Sequence, residues 1–221
     1  MDELAKKIQQ KYIEDITSRY PLYRFFCLLI YLFSYYVYFT THKDSLLMTT
    51  KDIKISFLFN FSSGLISEVS IFGLTVSVTL TIVGSQISKI INSRSFRVMA
   101  KLNNFDQYVS DISQKAHKVK SEKRNINIET NILGVDAKRA LLKGKQAISE
   151  TALTLSICTF PSILYYSVTD IVVFIGCLVI VAYSQIESFK LYISEFMPSF
   201  IYEQVLLGNT VEFSDNNEPH T

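Results

Sequence analysis

Val69-Ser-Ile-Phe-Gly-Leu-Thr-Val-Ser-Val-Thr-Leu-Thr-Ile-Val-Gly-Ser-Gln-Ile-Ser88 is a run of 20 residues without one charged side chain. At the helical rise it extends about 30 Å, the thickness of a bilayer's hydrocarbon core. It therefore reads as a transmembrane helix. Ser70, Gly73, Ser77, Thr81, Gly84 and Ser88 recur within it at spacings of three and four residues. Such a small-residue stripe lets another helix approach closely and lets hydroxyls bond across the contact.

Two further apolar blocks flank this one. Pro21 to Thr40 is apolar and aromatic, interrupted only by Arg24, which is near enough to one end to snorkel into headgroups. Pro21 suits a helix start, and Tyr31, Tyr35, Tyr36 and Tyr38 crowd the other end as an interfacial belt does. Thr151 to Gln185 is the third block, divided by Pro161 and Asp170. It reads as one long kinked helix or as a hairpin of two short ones. The scarcity of Lys and Arg in the tail favours a single crossing, with the tail outside. The chain is 48% hydrophobic with mean hydropathy +0.22, and these apolar residues lie in runs rather than at amphipathic spacing. Together these features predict an all-α, multi-pass membrane protein with three transmembrane helices and a partial or interfacial fourth.

The segments between the blocks complete the outline. Residues 1–20 form a charged amphipathic stretch on Leu4, Ile8, Tyr12 and Ile16, followed by helix 1 over 21–40 and an extracellular loop over 41–68. Within that loop Ile55 to Ile66 is too short and polar to span, and reads as a cap or re-entrant piece. Helix 2 covers 69–91, and its apolar period continues through Val98, Met99, Leu102, Phe105, Val109 and Ile112, so the helix is expected to project into the cytosol. A basic loop fills 92–150, solvated and only partly helical. The third block follows at 151–185, then an aromatic partial fourth helix at 186–207 and a disordered tail at 208–221.

Charge supplies the orientation. Lys6, Lys7, Lys11 and Arg19 precede helix 1, and Arg94, Arg97 and Lys101 follow helix 2, so both flanks are placed in the cytoplasm. Lys43, Lys51 and Lys54 weaken this contrast without reversing it. The sequon Asn60-Phe61-Ser62 then falls outside, where Asn60 is a glycosylation candidate. No cleavage pattern follows the first apolar run, which is expected to stay in the mature protein.

Soluble enzyme chemistry finds no support. The sequence has no Gly-rich phosphate loop, nucleophile elbow or paired histidines on one helix face. Cys27, Cys158 and Cys177 each sit inside an apolar run and read as packing residues. No cofactor, metal or nucleic-acid partner is expected. Asp170 is the most informative ionisable residue, because a carboxylate in an apolar block must meet a partner, water or a headgroup. It reads either as a ligand contact, with Tyr165 and Tyr166 lining the same pocket, or as an interfacial carboxylate at a helix end.

Two segments carry a family resemblance. Arg94-Ser-Phe-Arg-Val-Met-Ala-Lys-Leu-Asn-Asn-Phe-Asp-Gln-Tyr-Val109 holds a basic stretch and then Leu102, Phe105, Asp106 and Val109 at the spacing of a cytoplasmic packing motif. Phe189-Lys-Leu-Tyr-Ile-Ser-Glu-Phe-Met-Pro-Ser-Phe-Ile201 is an aromatic segment with a proline. Both, in this order after two such helices, resemble the insect gustatory receptor family. The resemblance implies part of a ligand-gated cation channel in the cell membrane, with its N-terminus inside. It covers the N-terminal portion of such a receptor, without the pore helix. It further implies a small-molecule tastant bound near Ser70, Thr75, Tyr165, Tyr166 and Asp170, and homo- or hetero-oligomers with other receptor chains in the lipid bilayer. The alternative is a small multi-pass accessory or scaffold protein acting through its cytoplasmic region, Gln86 to Ile148. A transporter or membrane enzyme using Asp170 is a third reading.

Overall fold

The computed structural model describes residues 12–13, 22–60, 62–102, 111, 124–164 and 166–198. Among these residues every regular element is helical. Helix α1, Leu22–Tyr35, continues as a wider π turn over Tyr36–Thr40. It ends where His42 takes a left-handed φ of 53°, which reverses the chain. Three short helices make up the connection that follows: α2, Leu46–Thr50; α3, Ile55–Phe59; and α4, Leu65–Glu68. Helix α5 runs unbroken over Ile71–Leu102, its 32 residues making about 48 Å, well beyond a hydrocarbon core. The Ser70 hydroxyl caps its start by accepting from the Gly73 amide at 3.1 Å.

The third apolar block departs from the single kinked helix preferred above. Helix α6 extends from Arg124 to Thr159, and Pro161 sits in a 3-10 turn over Phe160–Ile163. Helix α7 then begins anew at Val168 and runs to Leu191, with a π turn over Tyr192–Phe196. Pro161 thus lies past the end of a helix instead of kinking one, a position where its missing N–H costs nothing. Two more boundaries move. Residues 124–150, expected to be mostly loop, are helix, and 186–198 prolong α7 rather than starting a separate fourth helix. Ile55 to Ile66 is a cap of short helices, packed through Leu65 on Leu29 and Leu32 of α1. Residues 199–221, including the predicted tail, and most of 1–20 lie outside the described residues.

Leu22–Thr40, Ile71–Lys101 and Val168–Phe196 are long and apolar enough to cross a bilayer. The chain divides into two compact units, one of residues 18–92 and 145–185, the other of 1–17, 93–144 and 186–221. Helices α5, α6 and α7 lend residues to both.

In the larger unit the second half of α6 is the hub. Along α1 the contacts ascend together, from Tyr23 and Arg24 at Glu150, through Cys27 at Thr151, to Tyr38 at Ser162, so the two helices are parallel. Gln146 Nε2 donates to Ser88 Oγ of α5 at 2.9 Å, and Gln185 Nε2 of α7 donates to Ser149 Oγ at 3.0 Å. Ala152 and Leu153 pack with Cys177 and Val181, which makes α6 and α7 antiparallel. Gly73, Ser77, Gly84 and Ser88 of the small-residue stripe are buried on α5: a Cβ on Gly73 would stand 2.3 Å from the Tyr35 ring, and one on Gly84 would stand 2.8 Å from Tyr31 Oη. Larger residues there would push α1 and α5 apart.

Burial in this unit differs from that of a water-soluble core, with polar groups buried beside apolar ones and many large apolar side chains exposed. Ser77, Ser88, Asn92, Gln146, Ser149, Glu150, Thr154, Ser156 and Gln185 are buried. Ile71, Phe72, Ile82, Val172, Val179 and Tyr183 are more than half exposed. The buried hydroxyls of Ser77, Thr154 and Ser156 donate to carbonyls four residues back, at 2.8–2.9 Å, so none is stranded in an apolar interior.

The smaller unit packs in the ordinary sense. Tyr12, Phe96, Ala100, Leu142, Phe189, Tyr192, Phe196 and Met197 form one buried cluster. Its rings touch at centroid distances of 4.9–5.4 Å, among them Tyr12 on Phe96 and Tyr192 and Phe96 on Phe189. Burial raises the Tyr12 phenol above its ordinary range, partly offset by a hydrogen bond with Ser188.

Candidate functional site

Asp170 lies in the first turn of α7, fully buried. Its carboxylate accepts from the Leu46 amide at 2.8 Å, the Leu47 amide at 3.2 Å and the Ser45 hydroxyl at 3.2 Å. Ser45 Oγ in turn accepts from the Met48 amide at 3.2 Å. A helix start leaves its first amides without partners, and here the two side chains satisfy three of them on α2. The negative charge also meets the positive ends of two helices, its own and α2. Asp170 therefore anchors α2 to the tip of the α6–α7 hairpin. Of its two sequence readings, the observed geometry is that of a carboxylate at a helix end, with its oxygens engaged by protein.

The other predicted pocket residues do not gather around it. Ser70 is exposed and serves α5 as its cap, with Tyr35 Oη at 3.5 Å. Thr75 is exposed and its hydroxyl donates to the Ile71 carbonyl at 3.0 Å. Tyr166 is 85% exposed, on a left-handed φ of 55° that turns the hairpin. Tyr165 lies outside the described residues, as do Phe105, Asp106 and Val109 of the packing motif, whose Leu102 ends α5. Asn60 is exposed in an Asx turn, its Oδ1 accepting from the Ser62 and Ser63 amides and its Nδ2 donating to Ser63 Oγ at 3.0 Å.

What the anchoring builds is a cavity of about 530 Å³ beside α1. Phe26, Leu29, Ile30 and Phe33 of α1 form one wall, Leu46, Leu47 and Thr50 of α2 a second, and Ile53, Lys54, Ile55, Leu58 and Phe59 a third, with Leu155 of α6 behind. The Thr50 hydroxyl is turned back onto the Leu47 carbonyl at 2.6 Å. Lys54 is then the one charged group in an apolar lining. A smaller and more polar cleft of about 330 Å³ shares Ile53 and Lys54 with it and reaches Asp52, Asn60 and Ser63. The volume and apolar lining of the larger space are those of small-molecule pockets.

The sequence does not announce this cavity: Ile55, Leu58 and Phe59 read as part of a cap, and Ile53 as part of the polar stretch before it. Sequence reading also misplaced Arg24, whose Nε pairs with Glu150 Oε1 at 3.3 Å while Tyr23 donates to Oε2 at 2.9 Å. With Glu150 side-chain exposure at 5%, this is a partly buried pair instead of a snorkelling cation. An apolar span with one basic residue and a second with one acidic residue at its edge could have suggested the pairing. Compared with protein-family models, curated proteins and solved structures, the chain matches none of them.

Proposed function

We propose that this chain forms a four-crossing helical bundle in the cell membrane and binds a small apolar molecule, as the ligand-binding portion of a gustatory-type receptor. The burial pattern of the larger unit carries the membrane part of this reading, since exposed Ile, Val and Phe around buried Ser, Gln and Glu suit lipid as solvent. Helix α6 joins the three apolar helices as the fourth crossing because they shield its polar side chains. Four crossings put both ends of the bundle on one side. With the basic N-terminus inside, the segment after α7 is inside too, and α2 to α4, Asn60 and the α6–α7 turn are outside. The cavity beside α1 supports ligand binding, and the segments 94–109 and 189–201 support the family.

Topology is tested by Ser62→Cys and Ser167→Cys against Lys101→Cys, labelled in intact cells with a membrane-impermeant maleimide. The first two are expected to react and the third only after permeabilisation; labelling of all three in intact cells would overturn the four-crossing arrangement. The receptor reading is tested by cation currents evoked by apolar compounds in cells co-expressing this chain with a gustatory receptor chain; no current above that of the receptor chain alone would count against it.

One observation favours the accessory-protein alternative. In the smaller unit Val98 and Leu141 are each 58% exposed beside the apolar core. A cytoplasmic partner held there would be lost on Val98→Asp with Leu141→Asp, while receptor assembly would not depend on them.

A further inference from the structure

Resting on the ligand-binding reading above, we infer that the cavity beside α1 takes a long-chain fatty acid, with its hydrocarbon tail among Phe33, Leu47, Leu58 and Leu155 and its carboxylate on the Lys54 ammonium. At about 530 Å³ the space falls in the range of small-molecule pockets, a size suited to one hydrocarbon chain. Its lining is apolar apart from Lys54, since Thr50 is bonded to its own helix. Lys54 is exposed, and none of the described carboxylates pairs with it. It stands just before α3 in extended conformation, at the N-cap position.

Charge decides the ligand class. A hydrocarbon tail gains little by leaving a bilayer for a protein groove, because lipid is as apolar as the lining. The contact that favours binding over partitioning is therefore the ammonium at the rim, which attracts an anion at the interface as juxtamembrane lysines do. A carboxylate with one tail satisfies both the single cation and the single-chain volume. A fatty alcohol has the tail without the charge, and a diacyl phospholipid brings a second chain that the cavity does not house.

The test is a fluorescence titration of parinaric acid, a polyene fatty acid, onto the full chain in phosphatidylcholine nanodiscs. Saturable binding is expected, with Lys54→Gln weakening it about fivefold, Lys54→Arg restoring most of it, and a fatty alcohol competing poorly against the unsubstituted protein. Leu155→Trp and, as a second filling variant, Leu47→Phe are expected to abolish binding with helical circular dichroism unchanged. Equal affinity after Lys54→Gln, equal competition by the alcohol, or phosphatidylcholine retained in the cavity by native mass spectrometry would each overturn the assignment. Saturable, Lys54-dependent binding without any ligand-evoked current on co-expression would leave the fatty-acid site standing and remove the receptor reading.

Discussion

The two units share three helices and yet differ in what they bury and what they expose. Around Phe96, Phe189 and Tyr192 the apolar rings are inside, and Arg94, Arg97 and Lys101 are exposed. Around Glu150, Gln146 and Ser149 the polar groups are inside, and Ile82, Val172 and Val179 are exposed. In water the hydrophobic effect drives rings together. In lipid that drive between helices disappears, leaving close packing, hydrogen bonds and the cost of unsatisfied polar groups to select the contact. A single helix such as α5 can obey both rules along its length because the backbone satisfies itself wherever it is.

The contrast can be broken at either end. Phe96→Ala removes a ring 2% exposed from the aromatic cluster and is expected to cost about 3–5 kcal/mol, read as loss of thermal stability of the smaller unit. A cost below about 1 kcal/mol would mean that this unit is not held together by a water-driven core. Val179→Lys is the complementary test, on an apolar residue 62% exposed near the middle of α7. In a bilayer it should cost roughly 2.5–3.5 kcal/mol of insertion, measured with the helix in a glycosylation-reporter assay. Were it as neutral as an ordinary surface change, within about 0.5 kcal/mol, the exposed face would be meeting water and the membrane reading would fall. Glu150→Ala strips Arg24 and Tyr23 of their acceptor. Because Arg24 keeps some contact with solvent, the expected loss is roughly 2–3 kcal/mol, less than for a fully buried pair. Arg24→Leu combined with Glu150→Leu should recover part of it, a result that would place the penalty in the orphaned charge and not in the shape of the contact.

Much of this arrangement was legible in the chain. The uncharged run at 69–88 located the start of α5 to within two residues, and Gly73, Ser77, Gly84 and Ser88 of its small-residue stripe are turned inward. What stayed hidden depends on distant partners. Asp170 is explained by amides more than 120 residues away, at Leu46 and Leu47, and no local pattern announces that pairing. Arg24 and Glu150 are likewise far apart in sequence. The boundaries at 150 and 186 went astray for another reason: each marks where hydrophobicity changes, and the helix continues through both. Polarity reports the surrounding solvent, whereas the break between α6 and α7 falls at Pro161 and at the left-handed turn of Tyr166. The cavity residues 53–59 were visible as apolar but not as a wall, since a wall needs the opposing face of α1.

The position of α6 has a consequence for how the protein is made. Its inner half, carrying Gln146, Ser149 and Glu150, is not among the helices apolar enough to cross a bilayer by themselves. Leaving the insertion machinery unaccompanied, it would set those groups against hydrocarbon. Two of its shields, α1 and α5, are synthesised before it and one, α7, after it, so Gln146 and Glu150 find their partners at once while Ser149 must wait for Gln185. On the proposed four-crossing arrangement, biogenesis of this bundle would be ordered by its least hydrophobic member, which would enter the membrane as the guest of its neighbours.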